Sequence, residues 1–251
     1  MDPVPEILHP ALWRGRQLGY ARCSVSASGF DALDVELPGG GWPHQALTEL
    51  LLPHPGLGEI RLLAPSLVAV LRQGRLAMLF DPPACLSGWA LAQLGIDAEA
   101  LLVVYTRGVP GASLRGAASR VQAGGDDLWA LEQALKSGHV GALLAWLPPR
   151  LAPQRLWRLQ LAAQSHDAPA FMLREAAARG RPSAAPLRLS LQAAGADRLA
   201  VRVEKRRGPP LAHPIRLDLP AVLTESVAAK AARGPALAPL SRKRKREPLN
   251  Q

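Results

Sequence analysis

Apolar and polar positions change their period along this chain, and the changes divide it into elements. Five short runs are apolar at almost every position: Ala46–Leu52, Arg75–Phe80, Leu101–Tyr105, Val140–Leu147 and Ala170–Leu173. Runs of that kind fit strands covered on both faces of a parallel sheet. The segments between them follow a helical period. In residues 56–73, Leu57, Ile60, Leu63, Leu67, Val68 and Leu71 recur at three- and four-residue spacing, Pro65 predicts a kink or an early end, and Gly74 reads as the cap. A second helix is expected over 84–94, closed by Gly95. A third is expected over 126–137, with Asp126 as N-cap, Leu128, Leu131 and Leu135 on one face and Glu132–Lys136 as a pair four residues apart. A basic fourth over 153–165 carries Arg155 and Arg158. Residues 107–125, rich in Gly, Ser and Arg, read as a flexible loop.

The period then shortens to two. Leu187–Leu191, Leu199–Val203 and Ile215–Leu219 alternate apolar and polar residues, the sign of half-exposed antiparallel strands, and Gly195-Ala-Asp can turn the first pair. The fold class is therefore α/β: a doubly wound, mostly parallel sheet with antiparallel strands at its C-terminal end. The organisation is an arm over residues 1–29, a core over 30–221 and a tail over 222–251. Residues 7–22 can form an amphipathic arm with Trp13 and Leu18 inward, packed on the core or docked on a partner.

Charge sharpens the last boundary. Residues 1–197 hold 17 Lys/Arg against 16 Asp/Glu, and residues 198–251 hold 13 against 4. A near-neutral body with a basic tail points to an acidic partner, most often nucleic acid. The tail ends in Arg242-Lys243-Arg244-Lys245-Arg246, and Lys205-Arg206-Arg207 can extend the same basic face. Without aromatic residues among them, these cations can contact phosphate backbone, or an acidic protein surface, but not stack on bases. After Pro220 the chain is rich in Ala, Pro, Lys and Arg, and residues 222–251 are expected to be mostly disordered in isolation. No apolar run is long enough to span a membrane, and the N-terminus lacks the pattern of a signal peptide. Cys23 and Cys85 stand in no metal or redox spacing and read as packed thiols of a reducing, cytosolic compartment. His44 and His54 have no second ligand at a metal spacing, and the six histidines suggest no Ser/His/Asp arrangement.

Candidate chemistry concentrates between Gly29 and Glu59: a turn, the Gly39–Pro43 loop, the strand Ala46–Leu52, and a second loop, Pro53-His54-Pro55-Gly56-Leu57-Gly58-Glu59, feeding a helix. The first loop reads as a structural turn with Trp42 packed down, or as an anion loop. The second has the position and glycines of a phosphate-cradling loop, where backbone N–H groups approach phosphate. An acid, Glu59, stands where such loops place lysine, no hydroxyl follows it, and its charge repels phosphate at close range.

These residues resemble the RecA-type ATPase core. Gly39-Gly40-Gly41, Thr48-Glu49-Leu50, the run from Arg75 to Asp81, Ala92–Asp97 with Leu101–Val104, and Asp126–Ser137 followed by Val140–Leu147 are similar to its strand units, in order, over about residues 30–180. The departures fall on the chemical positions. Glu59 replaces the phosphate-loop lysine, Pro83 stands where the catalytic glutamate would follow Asp81, and Trp146 stands where the metal-associated acid would end its strand. Asp81 and the pair Asp126/Asp127 read instead as a turn residue and a helix cap.

A closer resemblance is to the ImuA family of RecA-like accessory proteins of translesion DNA synthesis. It rests on Trp13-Arg14-Gly15, the loop Leu37-Pro38-Gly39-Gly40-Gly41-Trp42-Pro43, Leu47–Leu50, Trp129–Leu135, Ala145-Trp146-Leu147 and Arg158–Ala163. That resemblance implies a non-catalytic scaffold in SOS-induced mutagenesis, without cofactor. Its partners would be an ImuB-type polymerase-like protein, an error-prone DnaE-type polymerase and RecA, with non-specific DNA contact through the basic tail, in a cytoplasmic, nucleoid-associated setting. A SulA-like inhibitor of cell division and a weak ATPase with a degenerate phosphate loop are the alternatives. SulA-type chains are shorter and lack such a tail.

Overall fold

The first long strand sets the architecture. In the computed structural model, which describes residues 24–106 and 126–223, β3 (Leu47–Leu52) is buried at all six positions and lies in the interior of an eight-stranded sheet. Before it come two short strands, β1 (Val25–Ser26) and β2 (Trp42–Pro43), paired antiparallel as a separate ribbon, with a one-turn helix α1 (Asp31–Asp34) between them. After it come α2 (Glu59–Arg72), β4 (Leu76–Phe80), α3 (Gly88–Gln93), β5 (Leu101–Val104), α4 (Asp126–Lys136), β6 (Val140–Trp146), α5 (Pro153–Ala163) and β7 (Ala170–Glu175). The chain ends its sheet with β8 (Leu187–Gly195), β9 (Arg198–Lys205) and β10 (Ile215–Asp218). The strand order is β10-β9-β8-β3-β7-β6-β4-β5. The strands from β8 to β5 in that order run parallel, and β9 and β10 are antiparallel additions at one end.

The chain divides into two units, Met1–Pro220 and Ala221–Gln251, and the sheet belongs to the first. Side chains that alternate along each strand build a core on each face. One core joins α1, α2 and α3 to Leu50, Leu52, Leu144, Phe171 and Leu189; the other joins α4 and α5 to Leu47, Leu143, Ala145 and Met172. Trp42 closes the first core, fully buried and edge-on to Phe171 at 5.1 Å between ring centroids.

The second face carries charge at its centre. Glu49, in the middle of β3, is fully buried with Arg174 of β7 and the nearly buried Arg188 of β8, the two strands that flank it. One carboxylate oxygen lies 2.7 Å from Arg174 Nη1 and the other 2.6 Å from Arg188 Nε. The remaining guanidinium groups donate to backbone carbonyls: Arg174 to Pro148 and Pro149, Arg188 to Ala178 and Arg179. The acceptors lie in the loop after β6 and at the short 3-10 turn after β7 (Ala176–Ala178).

Several sequence expectations are corrected. α2 does not end at Pro65 but continues to Arg72: the ring packs against Gly29, where an added Cβ would sit 2.3 Å from the Pro65 Cβ, and Ser66 Oγ donates to Ala27 O at 3.0 Å. The helix ends as expected at Gly74, whose φ of +72° lets Arg75 N reach Val70 O. The helix expected over 84–94 begins only at Gly88, because Ser87 caps it by accepting from Ala90 N. Cys85, in the connector before it, is exposed rather than packed. β8 is parallel to β3, and Leu187–Leu191 are all buried rather than half-exposed, because Arg188 turns to Glu49 and Ser190 Oγ donates to Glu204 at 2.6 Å. Glu132 pairs with Arg158 of α5 at 3.0 Å, not with Lys136. No helix among the described residues is long and apolar enough to cross a membrane. The arm over residues 7–22, Cys23, the loop over 107–125 and the tail from 224 onward lie outside the described residues.

Removing one member of a buried ion network strands the others without counter-charge. Glu49→Ala is expected to lower unfolding free energy by about 3–5 kcal/mol in urea melts. Glu49→Asp, which keeps the charge, should lose clearly less.

Candidate functional site

In open α/β sheets ligands gather outside the carboxyl ends of the strands. Here the ends of β3, β4, β5, β6 and β7 meet at a cleft of about 370 Å³. Its walls are mainly apolar: Leu52, Pro55, Pro82, Pro83, Tyr105, Trp146, Pro148 and Pro149, with Asp81, Arg174 and Glu175 as its charged residues. The arginine is not available to a ligand, since Glu49 and the two proline carbonyls already hold it. Asp81 takes a positive φ of +48° and accepts from the Thr106 amide at 2.7 Å and from Thr106 Oγ1 at 2.5 Å. It thereby clasps the ends of β4 and β5, the role of a turn residue.

The loop over Pro53–Gly58 leads from β3 into α2. Gly56 and Gly58 have φ of +81° and +115°, and a Cβ on Gly58 would meet Leu219 at 2.8 Å, so both conformation and space require glycine there. Glu59 is the first residue of the helix and is 3% exposed. One of its carboxylate oxygens accepts from Gly56 N at 2.8 Å and the other from Gly58 N at 3.1 Å. Loop amides and a helix N-terminus together form an anion site, and here the chain's own carboxylate fills it. His54 turns its Nδ1 to the Pro55 carbonyl at 3.1 Å.

The basic candidates separate. Lys205, exposed, donates to Ser183 O at 3.2 Å. Arg206 is half-buried and reaches back to Glu36, 2.8 Å from its carboxylate and 2.5 Å from its carbonyl, so it ties β9 to the end of α1. Arg207 is exposed. Arg242, Lys243, Arg244, Lys245 and Arg246 lie outside the described residues.

A second polar cluster, at the amino ends of the interior strands β3 and β7, was not foreseen. Ser26 Oγ lies 2.6 Å from His44 Nε2, and His44 Nδ1 lies 3.2 Å from Asp167 Oδ1 and 3.0 Å from Ser24 Oγ. The folded chain thus brings together a Ser/His/Asp arrangement that the spacing of its histidines does not suggest. Asp167 is 73% exposed at its side chain, so its charge is screened by water and holds His44 weakly. The cluster fastens the β1–β2 ribbon to the turn before β7. Beneath it His166 is buried, 1% exposed, and burial, followed by the charge of Arg75 and by His44, lowers its pKa from 6.5 to about 4. The described residues contain no group of three or more His, Cys, Asp or Glu that could hold a metal ion.

The buried Glu49 network was also missed, although an acid inside an otherwise apolar six-residue strand was a readable sign that a buried cation must answer it.

No family model matches this chain. Among curated proteins it is similar to the cell division inhibitor SulA of Edwardsiella piscicida, 51% identical over 41 residues. The match covers 16% of this chain and 24% of that protein, so the chain spans about a quarter of the length of the relative it matches.

Two outcomes are expected from these geometries. Glu59→Ala should free the Gly56 and Gly58 amides, and added sulfate should then raise the melting temperature of the variant more than that of the native protein. An equal rise in both would show that the loop gains no anion site. His166, neutral in the folded state, contributes stability that is full above pH 6.5 and is lost as pH falls toward about 4. The loss is on the order of 3 kcal/mol across that interval. His166→Asn should flatten this part of the pH profile in denaturant titrations.

Proposed function

We propose that this chain is a non-catalytic, RecA-like accessory protein of the SOS response, acting in mutagenic translesion synthesis. The observation that carries the reading is the Glu59 carboxylate held by the Gly56 and Gly58 amides. Phosphoryl transfer depends on positioning and on cations that neutralise developing charge. A loop that meets phosphate with a fixed carboxylate and no lysine supplies neither. The sheet, with its parallel strands and antiparallel end, is consistent with a RecA-like core. The local match to SulA supports a place in the SOS response.

On this reading residues 30–221 present binding surfaces. The ImuB-type polymerase-like protein, the error-prone DnaE-type polymerase and RecA are its partners. The arm over 1–29 docks, and the tail over 222–251, with Arg242–Arg246, contacts DNA backbone or an acidic surface. Arg207 is exposed and joins that basic face, as does the exposed Lys205 beside its bond to Ser183 O, whereas Arg206 is committed to Glu36. The protein works in the cytoplasm, at the nucleoid. A second reading, a SulA-like inhibitor of cell division, is favoured by one observation, the 41-residue match itself.

The two readings separate in cells. Deletion of the gene should abolish damage-induced mutagenesis while leaving division normal, and the purified protein should retain the ImuB-type partner in a pull-down. Filaments formed on expression without DNA damage, with induced mutagenesis unchanged by the deletion, would instead favour the division inhibitor.

A further inference from the structure

The folded body carries an aromatic and basic surface that is separate from the cleft. α5 and the segment Pro182–Ala184 border a groove of about 520 Å³ on the outer side of the second helical layer. Trp157 lies in it with 57% of its surface exposed, beside Pro153, Gln154 and Arg158. On the neighbouring α4, Trp129 is 58% exposed. A buried indole would explain itself as core, but two open ones on adjacent helices do not.

The two segments that border the groove carry only cations, while the acids that meet some of them, Glu132 at Arg158, Glu204 at Arg179 and Glu49 at Arg188, come from other elements. Residues 150–165 contain three arginines and no acid, and residues 176–190 contain three more and no acid. Arg181, next to Pro182 of the groove, is exposed, and its side chain has no hydrogen-bond or ion-pair partner among the described residues. Arg158 pairs with Glu132, and its side chain remains 62% exposed. Lys205 arrives from β9 to hold the carbonyl of Ser183, itself a residue of the groove. Cations beside an apolar slot with an open indole, here Arg158 in its wall, Lys205 on Ser183 and Arg181 next to Pro182, are the elements of a single-strand site, in which bases stack and phosphates meet charge. An aliphatic protein segment would use the slot but leave the cations without a counter-charge.

We propose that this groove binds single-stranded nucleic acid, with a base stacked on Trp157 and the backbone following Arg181 and Lys205. Stacking on aromatic side chains is tolerant of sequence, so the binding is non-specific. The site uses no residue of the tail and does not depend on the accessory-protein reading.

The test is fluorescence anisotropy of a labelled oligothymidylate with the full chain, and with a chain whose Arg242–Arg246 are changed to Gln so that tail contacts are removed. In both backgrounds Trp157→Ala should weaken binding by about tenfold, while Trp157→Phe keeps most of it. Lys205→Ala with Arg181→Ala should lower the slope of log affinity against log salt by about 1.4, as expected for two lost phosphate contacts on a single strand. Melting temperatures of the variants establish that they fold. Affinity unchanged by Trp157→Ala in a folded variant would overturn the proposal. So would binding of polyglutamate as tight as that of the oligonucleotide and lost with the same substitutions, which would assign the groove to an acidic protein.

Discussion

The sheet depends on a charge that cannot leave it. Glu49 sits in the central strand with no route to water, and its two oxygens are answered from either side by Arg174 and Arg188. Burying an ion costs more than any single contact returns, so such a network persists only when every donor and acceptor is satisfied. Here that requirement extends outward. The spare donors of Arg174 seize the carbonyls of Pro148 and Pro149, and those of Arg188 seize Ala178 and Arg179. One carboxylate thereby fixes β7, β3 and β8 against each other and sets the loops after β6 and β7.

That fixing shapes the cleft at the carboxyl ends. Its arginine is consumed internally, its aspartate clasps Thr106, and its loop amides hold Glu59. What remains is mainly proline, tyrosine and tryptophan surface, with the exposed Glu175 as its remaining charge. A cleft of this kind offers little to a phosphate and more to apolar groups. The unpaired cations lie elsewhere, on the outer side of α5 and the segment before β8.

Much of the architecture was legible. Near-continuous apolar runs gave parallel strands because a sheet with helices on both faces buries both sides of each strand. Period-two alternation misled at β8, where the polar positions Arg188 and Ser190 face a buried acid and a cross-strand glutamate rather than water. Pro65 looked disruptive because a local rule does not know that Gly29 has made room for its ring. Cys85 was misjudged because its type favours burial, while its place in a proline-bounded connector decides otherwise. Glu59 was readable as an acid in the wrong place for a phosphate loop. That its carboxylate turns back to the glycine amides was not, since the sequence gives no side-chain direction. Contacts between distant segments were least visible: His44 meets Asp167, and Trp157 and Pro182 come to line one groove, only once the sheet has assembled.

The most direct measurement of the central claim, a phosphate loop occupied by its own carboxylate, is equilibrium binding and turnover of ATP by the purified full-length chain. No saturable binding and no phosphate release, with or without partners and DNA, is the expected result. Saturable binding with turnover that is lost on changing Gly56 or Gly58 would contradict it, and would mean that the loop exchanges Glu59 for a nucleotide.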